Sequence, residues 1–299
     1  IHLTYFISSV LLLLFNSSSF YFFLIWQSIS LFAIIHYFGG LSYNINSLFY
    51  ILAVLLSDIL VMSGFIVVSF DYLFFGFMLK LSFFPFLWLV PNLFLGMSYW
   101  LVGFLVFFHK AVIVFLFYYL FLGFNNFHVF LILLSIFVSS LYLILNKDCL
   151  KSLIIWSSNI HCGWFLLLLC FSSYLVFGYM LIYLIFGIAF LIYLCYSFEY
   201  NYFSDVVGLD NGYGFWLWFL FLFFCSFPPM LGWVLKFTVY STILNYTILF
   251  FLILVNLFST FGYLVVLSSF FVLLPYWNHF NIYFYSLPFI IVFFGWFLL

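Results

Sequence analysis

Short polar punctuation divides this chain into long apolar runs, and the run lengths predict the elements. Runs close to the roughly 20 residues that a helix needs to cross a bilayer predict about eleven spanning helices. They cover approximately 2–15, 20–38, 48–70, 73–96, 99–122, 127–145, 149–171, 174–197, 215–242, 246–273 and 281–299. The first is short and ends at the polar Asn16-Ser17-Ser18-Ser19. Ile1 stands where methionine is usual, which fits a trimmed chain or an unusual start codon, and no signal or transit peptide is visible. Loops are short, so sequence neighbours are expected to pack antiparallel. The longest polar stretch, 199–214, carries Glu199, Asp205, Asp210 and three glycines, and no soluble domain fits anywhere. The pattern predicts an all-α membrane protein forming a single membrane domain. Lys147 and Lys151 flank the turn between the sixth and seventh helices. The positive-inside rule puts that turn on the cytoplasmic or matrix side. Counting helices then places the N-terminus on that side and the C-terminus opposite.

Composition sharpens this picture. Hydrophobic residues make up 70% of the 299 residues and charged residues 4%, with a formal net charge of −1. Mean hydropathy is +1.42. A soluble domain carries roughly a quarter charged residues, so lipid must solvate most of this chain. No basic patch exists for nucleic acid. All five basic residues are lysines. A buried lysine can lose its proton whereas arginine cannot, which suits a protein that moves protons. The 53 phenylalanines and 24 tyrosines point to a T-rich, organelle genome. The five cysteines show no C-x-x-C spacing and read as small buried residues.

The candidate chemistry lies in charges that apolar helices should not carry. Lys80, Lys110 and Lys236 each sit deep within an apolar segment. A charge at the bilayer centre costs about 2.5–3.5 kcal/mol on insertion scales. Lys110 is too far from either end of its helix to snorkel to the interface. Three such costs are expected to support a proton or ion path, with structural ion pairs the alternative. Pro85 and Pro91 follow Lys80, and Pro228-Pro229 with Gly232 precede Lys236. Proline frees a helix carbonyl, and such breaks survive in lipid only within protein or beside water. One broken helix in each half is a pointer to a transporter of inverted repeats, though plain kinks would look alike. Asp58 is the one acid well inside a helix and calls for a partner. Asp71 reads as interfacial, and Asp148, Glu199, Asp205 and Asp210 as loop residues. His161, near Ser157, Ser158 and Asn159, and His109, beside Lys110, could relay protons or could be plain hydrogen-bonded histidines. No His/Cys cluster has metal-ligand spacing, and nothing in the chain is built to hold a redox cofactor.

Three motifs carry a resemblance. Lys80-Leu81-Ser82-Phe83-Phe84-Pro85-Phe86-Leu87-Trp88-Leu89-Val90-Pro91 is similar to K-L-G-x-x-P-F-H-x-W-V-P, and Lys110 follows at the family's spacing. Leu150 through Trp164, reading L-K-S-L-I-I-W-S-S-N-I-H-C-G-W, is similar to L-R-K-x-L-A-Y-S-S-I-x-H-M-G-W. Pro228-Pro229-Met230-Leu231-Gly232-Trp233-Val234-Leu235-Lys236 is similar to P-P-L-x-G-F-x-x-K. In this order they resemble the NADH-ubiquinone oxidoreductase chain 2 family, mitochondrially encoded antiporter-like subunits of respiratory complex I. They span more than half the chain.

The resemblance implies antiporter-like inverted repeats, approximately 1–145 and 146–273, with 281–299 as a C-terminal helix. It implies a mitochondrial inner-membrane location, with the N-terminus on the matrix side. NADH, FMN, iron–sulfur clusters and ubiquinone would be handled by other subunits. Partners would be the other membrane-arm subunits, including a sister antiporter-like subunit and a small chain 4L-type subunit, together with lipids. A buried polar row would carry proton movement. Lys80 would be the lysine of the first broken helix, Lys110 the connecting lysine and Lys236 the lysine of the second broken helix, with His161 on the path. One departure matters. The family's W-x-G-x-E reads here Trp26-Gln27-Ser28-Ile29-Ser30, so Ser30 stands in place of the glutamate that partners Lys80. Asp58 is expected to supply the carboxylate instead. Two other readings compete: a structural subunit of the complex with impaired pumping, and a free-standing cation/proton antiporter.

Overall fold

The computed structural model describes residues 2–14, 17–38, 45–87, 89, 97–120, 124–145, 150–171, 175–196, 224, 231–243 and 245–271. Ten helices run through these residues, and no strand appears among them. They are α1 (His2–Leu14), α2 (Ser17–Phe38), α3 (Ile45–Val67), α4 (Phe70–Leu81) and α5 (Tyr99–Leu120). Then follow α6 (Asn126–Leu145), α7 (Leu150–Phe171), α8 (Leu175–Tyr196), α9 (Leu231–Thr242) and α10 (Tyr246–Phe271). Seven of them, α2, α3, α5, α6, α7, α8 and α10, are long and apolar enough to cross a membrane. The chain is an all-α, multi-pass membrane protein. The segment predicted at 281–299, Pro91 and Pro228-Pro229 lie outside the described residues.

The predicted fourth span is broken after Leu81. Pro85 cannot continue a helix, because it lacks an N–H and its ring crowds the carbonyl four residues back. Ser82 turns left-handed at φ 56° and caps the end. Its N–H bonds to the Leu79 carbonyl at 3.1 Å, and that of Phe83 bonds to Met78 at 2.8 Å. This is the paired closure that usually takes glycine at its left-handed position. In the family motif glycine stands there.

By contact, the chain divides into two compact units, 1–135 and 136–299, with α6 contributing to both. In the first unit the closest pairing is the antiparallel hairpin of α3 and α4. Two glycines allow it. A Cβ on Gly64 would stand 2.7 Å from Leu73 Cγ, and one on Gly76 would stand 2.7 Å from Val61 Cγ2 and 3.0 Å from the Ser57 carbonyl. Only hydrogen at these positions lets the backbones approach so closely. The hairpin turns on Val68, left-handed at φ 54°. The Ser69 N–H bonds back to the Gly64 carbonyl at 2.9 Å. In the second unit Gly163 faces Ile136 and Gly262 faces Leu143, which seats α6 between α7 and α10. Tyr142 of α6 stacks on Trp156 of α7 at 4.6 Å.

Buried serine hydroxyls need no distant partner. Those of Ser30, Ser57, Ser135, Ser139, Ser157 and Ser158 each donate to the carbonyl three residues earlier. That satisfies a polar group within a lipid-facing helix.

Candidate functional site

A buried cluster of charged and polar side chains occupies the first unit. The glycine-enabled approach of α3 and α4 fixes their register, with Val61 opposite Gly76 and Asp58 opposite Lys80. The Lys80 ammonium and the Asp58 carboxylate form an ion pair, with side chains only 2% and 5% exposed. Ser28 of α2 lies beside that carboxylate. The carboxylate expected from Asp58 is therefore in contact with Lys80. Ser30, at the position of the family's glutamate, is buried and spends its hydroxyl on the Gln27 carbonyl at 2.8 Å.

Helix α5 brings the second lysine. Between Phe104 and His109 it widens into a π turn, and α-helical geometry resumes at Lys110. One extra residue in the turn rotates everything after it by roughly 100° relative to an uninterrupted helix. His109 and Lys110 are both buried at this junction. His109 Nδ1 lies 2.6 Å from the Tyr5 hydroxyl of α1. That hydroxyl also accepts from Gln27 Nε2 of α2 at 3.3 Å. The charges of Lys80 and Lys110 both reach the His109 ring. The unit thus gathers Asp58, Lys80, His109, Lys110, Tyr5, Gln27 and Ser28 from α1 to α5.

The second unit holds Lys236 and His161. Lys236 Nζ donates to Asn256 Oδ1 of α10 at 2.7 Å and lies 5.5 Å from the centre of the Trp164 ring. Tyr240, one turn along α9 from Lys236, meets Trp164 edge-on at 5.6 Å. His161 Nδ1 lies 3.1 Å from the Tyr179 hydroxyl of α8, and the ring packs against Tyr183 at 5.0 Å. The charge of Lys236 reaches the His161 ring. Each unit thus has buried lysine next to a buried histidine whose Nδ1 rests on a tyrosine.

Asp71 stands apart from both clusters. It occupies the first turn of α4, and its side chain is 73% exposed. His128 Nε2 of α6 meets it at 3.1 Å, while Nδ1 accepts from the Asn125 N–H at 3.2 Å. This pair ties the start of α4 to the start of α6. Asp148, Glu199, Asp205 and Asp210 lie outside the described residues.

Four members of these clusters, Tyr5, Gln27, Tyr179 and Asn256, were not singled out from sequence. Gln27 carried a usable signal, being the only glutamine in the chain and lying mid-helix. Asn256 is likewise an amide inside an apolar run. Tyr5 and Tyr179 are two of 24 tyrosines and carried none.

No protein-family model matches the chain, and no curated protein matches it. Solved structures do. The fold is similar to a chain of respiratory complex I from Thermus thermophilus, solved with bound aureothin. Identity is 16% and the TM-score 0.67, over 90% of this chain and 75% of that one. It is also similar to a chain of the membrane-bound sulfane sulfur reductase, an archaeal respiratory membrane complex. There identity is 12% and the TM-score 0.70, over 93% of this chain and 68% of that one. At such identities the likeness is one of fold.

Proposed function

We propose that this chain is an antiporter-like membrane subunit of respiratory complex I, of the chain 2 type, in the mitochondrial inner membrane. It couples NADH:ubiquinone electron transfer, carried out in other subunits, to proton translocation along buried lysines. The observation that carries this reading is the buried Asp58–Lys80 pair. A chain that had merely lost its glutamate would leave Lys80 an uncompensated charge in a low-dielectric interior, at a cost of several kcal/mol. Here a carboxylate from the next helix takes up the role. The three ordered motifs and the fold shared with a complex I chain support the same reading. In this reading Lys80, Lys110 and Lys236 hold and pass protons, Asp58 modulates Lys80, and His161 serves Lys236. The other membrane-arm subunits, among them a sister antiporter-like subunit and a 4L-type subunit, are its partners.

Ser30 favours a second reading, a structural subunit whose own pumping is impaired. One experiment separates these. The chain is immunopurified from native membranes, and proton-to-electron ratios are measured in liposomes for wild type and Lys110→Met. Co-purification with NADH:ubiquinone reductase activity and a lower ratio in the variant support pumping. Co-purification with an unchanged ratio favours the structural subunit. A chain that purifies alone and exchanges cations for protons is a free-standing antiporter.

A further inference from the structure

His109 is a buried imidazole with one nitrogen engaged and the other idle. Its Nδ1 is held by the Tyr5 hydroxyl at 2.6 Å. Its Nε2 is buried and has no hydrogen-bond partner among the described residues. An orphaned buried polar atom is costly, about 1–3 kcal/mol, and asks for an explanation in a native fold. The ring adjoins Lys110 in sequence, at the end of a π turn. Lys80 and Lys110 both act on it electrostatically. A π turn inside an α-helix is a distortion found frequently at functional sites. His161 in the second unit is arranged alike, with Nδ1 on a tyrosine and Nε2 buried without a hydrogen-bond partner among the described residues, but no π turn precedes it.

We infer that His109 is a relay residue that passes protons between the Asp58–Lys80 pair and Lys110, with Tyr5 and Gln27 setting its tautomer. This rests on the proton-translocating reading above. In the forward step an N–H bond of the Lys80 ammonium breaks and an N–H bond forms at His109 Nε2, leaving a neutral amine beside Asp58. The imidazolium then gives that proton to a neutral Lys110 amine. One positive charge moves from α4 to α5, and no other bond changes. Neither lysine nitrogen is within hydrogen-bond distance of Nε2, so water carries the proton across at each step. Nε2 can accept only if Nδ1 carries the resting proton and donates it to the Tyr5 oxygen. Gln27 makes this possible. A half-turn of its amide replaces the Nε2 donor with the Oε1 acceptor, so the Tyr5 hydroxyl can point either way. Both tautomers of His109 are then satisfied at Nδ1.

The test compares proton-to-electron ratios of the intact complex in liposomes for Lys110→Met, His109→Gln and His109→Leu. Glutamine still hydrogen-bonds to Tyr5 but cannot carry a proton through. The expected result is that both His109 variants lower the ratio by the same share as Lys110→Met. If Lys110→Met lowers it and His109→Gln does not, the relay is wrong and the proton-translocating reading stands. If none of the three changes it, that reading fails and the relay fails with it. Should the His109 variants not assemble, Tyr5→Phe, which removes one oxygen, is expected to slow proton delivery severalfold. An unchanged rate there overturns the relay.

Discussion

If the proposed function holds, the Asp58–Lys80 pair makes opposite demands on stability and on transport, and substitutions can separate the two. Both side chains are almost fully buried, at 5% and 2% exposed. Asp58→Asn leaves the Lys80 ammonium without its countercharge. Breaking a buried pair from one side costs about 3–5 kcal/mol, because the remaining charge is desolvated and uncompensated. Lys80→Met strands the carboxylate and should cost a similar amount. Replacing both, as Asp58→Leu with Lys80→Met, removes the two desolvation penalties together. Well-packed apolar replacements of buried pairs are neutral or stabilising by about 1–4 kcal/mol. The expected order of stability is therefore double variant at or above wild type, and both single variants well below. On the proposed function transport follows a different order, with all three variants losing proton flux. The assay is a thermal melt of the solubilised protein beside flux measurements in liposomes. A single Asp58→Asn variant that melts within a degree of wild type would refute the reasoning, since the pair would then not be a desolvated one. A double variant with full flux would refute the transport role while leaving the burial argument intact.

Other substitutions test the geometry that sets this pair. Gly76→Ala should destabilise by about 1–3 kcal/mol, because its Cβ would crowd Val61 and the Ser57 carbonyl. Gly178→Ala should instead stabilise by about 0.5–1 kcal/mol, since no described residue lies within 4 Å of the added methyl. The contrast between two helix glycines is read in one set of melts. Val68→Gly and Ser82→Gly should each raise the melting temperature. Both residues hold left-handed backbone, at φ 54° and 56°, which costs an L-residue roughly 1–2 kcal/mol.

Charge in an apolar run was the most legible signal, for a simple reason. A lysine or aspartate inside a span is expensive, so each one marks a place where the fold must supply compensation. That reasoning reached Lys80, Lys110, Lys236 and Asp58, while the Asp58–Lys80 contact was anticipated from the resemblance, which leaves Ser30 in place of the glutamate, together with the scarcity of acids inside helices. The end of α4 was legible too, because Pro85 excludes helix on steric grounds. The register was not. Nothing in the sequence says that Gly76 meets Val61 and thereby sets Asp58 opposite Lys80, because both glycines of the hairpin lie in largely apolar runs. The π turn was equally silent. Phe104-Leu105-Val106-Phe107-Phe108-His109 reads as ordinary apolar helix with no breaker residue inside it.

The same difference applies to His109. In sequence a histidine beside a lysine offers two groups of similar chemistry and no partner, and a hydrogen-bonded core histidine is the simplest account. Only the fold brings Tyr5 and Gln27 from two other helices to one side of the ring and leaves the other nitrogen without a partner among the described residues. The polar residues that read clearly from sequence are those whose charge costs energy wherever they sit. The ones that read poorly are neutral, and their part depends on which neighbour they meet. A proton path needs both kinds. Fixed charges place the proton, and reversible hydroxyl and amide groups let a neighbouring nitrogen change tautomer as it moves. In the proposed path the charged members are set by α3, α4 and α5, and the reversible members come from α1 and α2. The short first helix, which composition alone would class as one more apolar span, is therefore part of the site through a single hydroxyl.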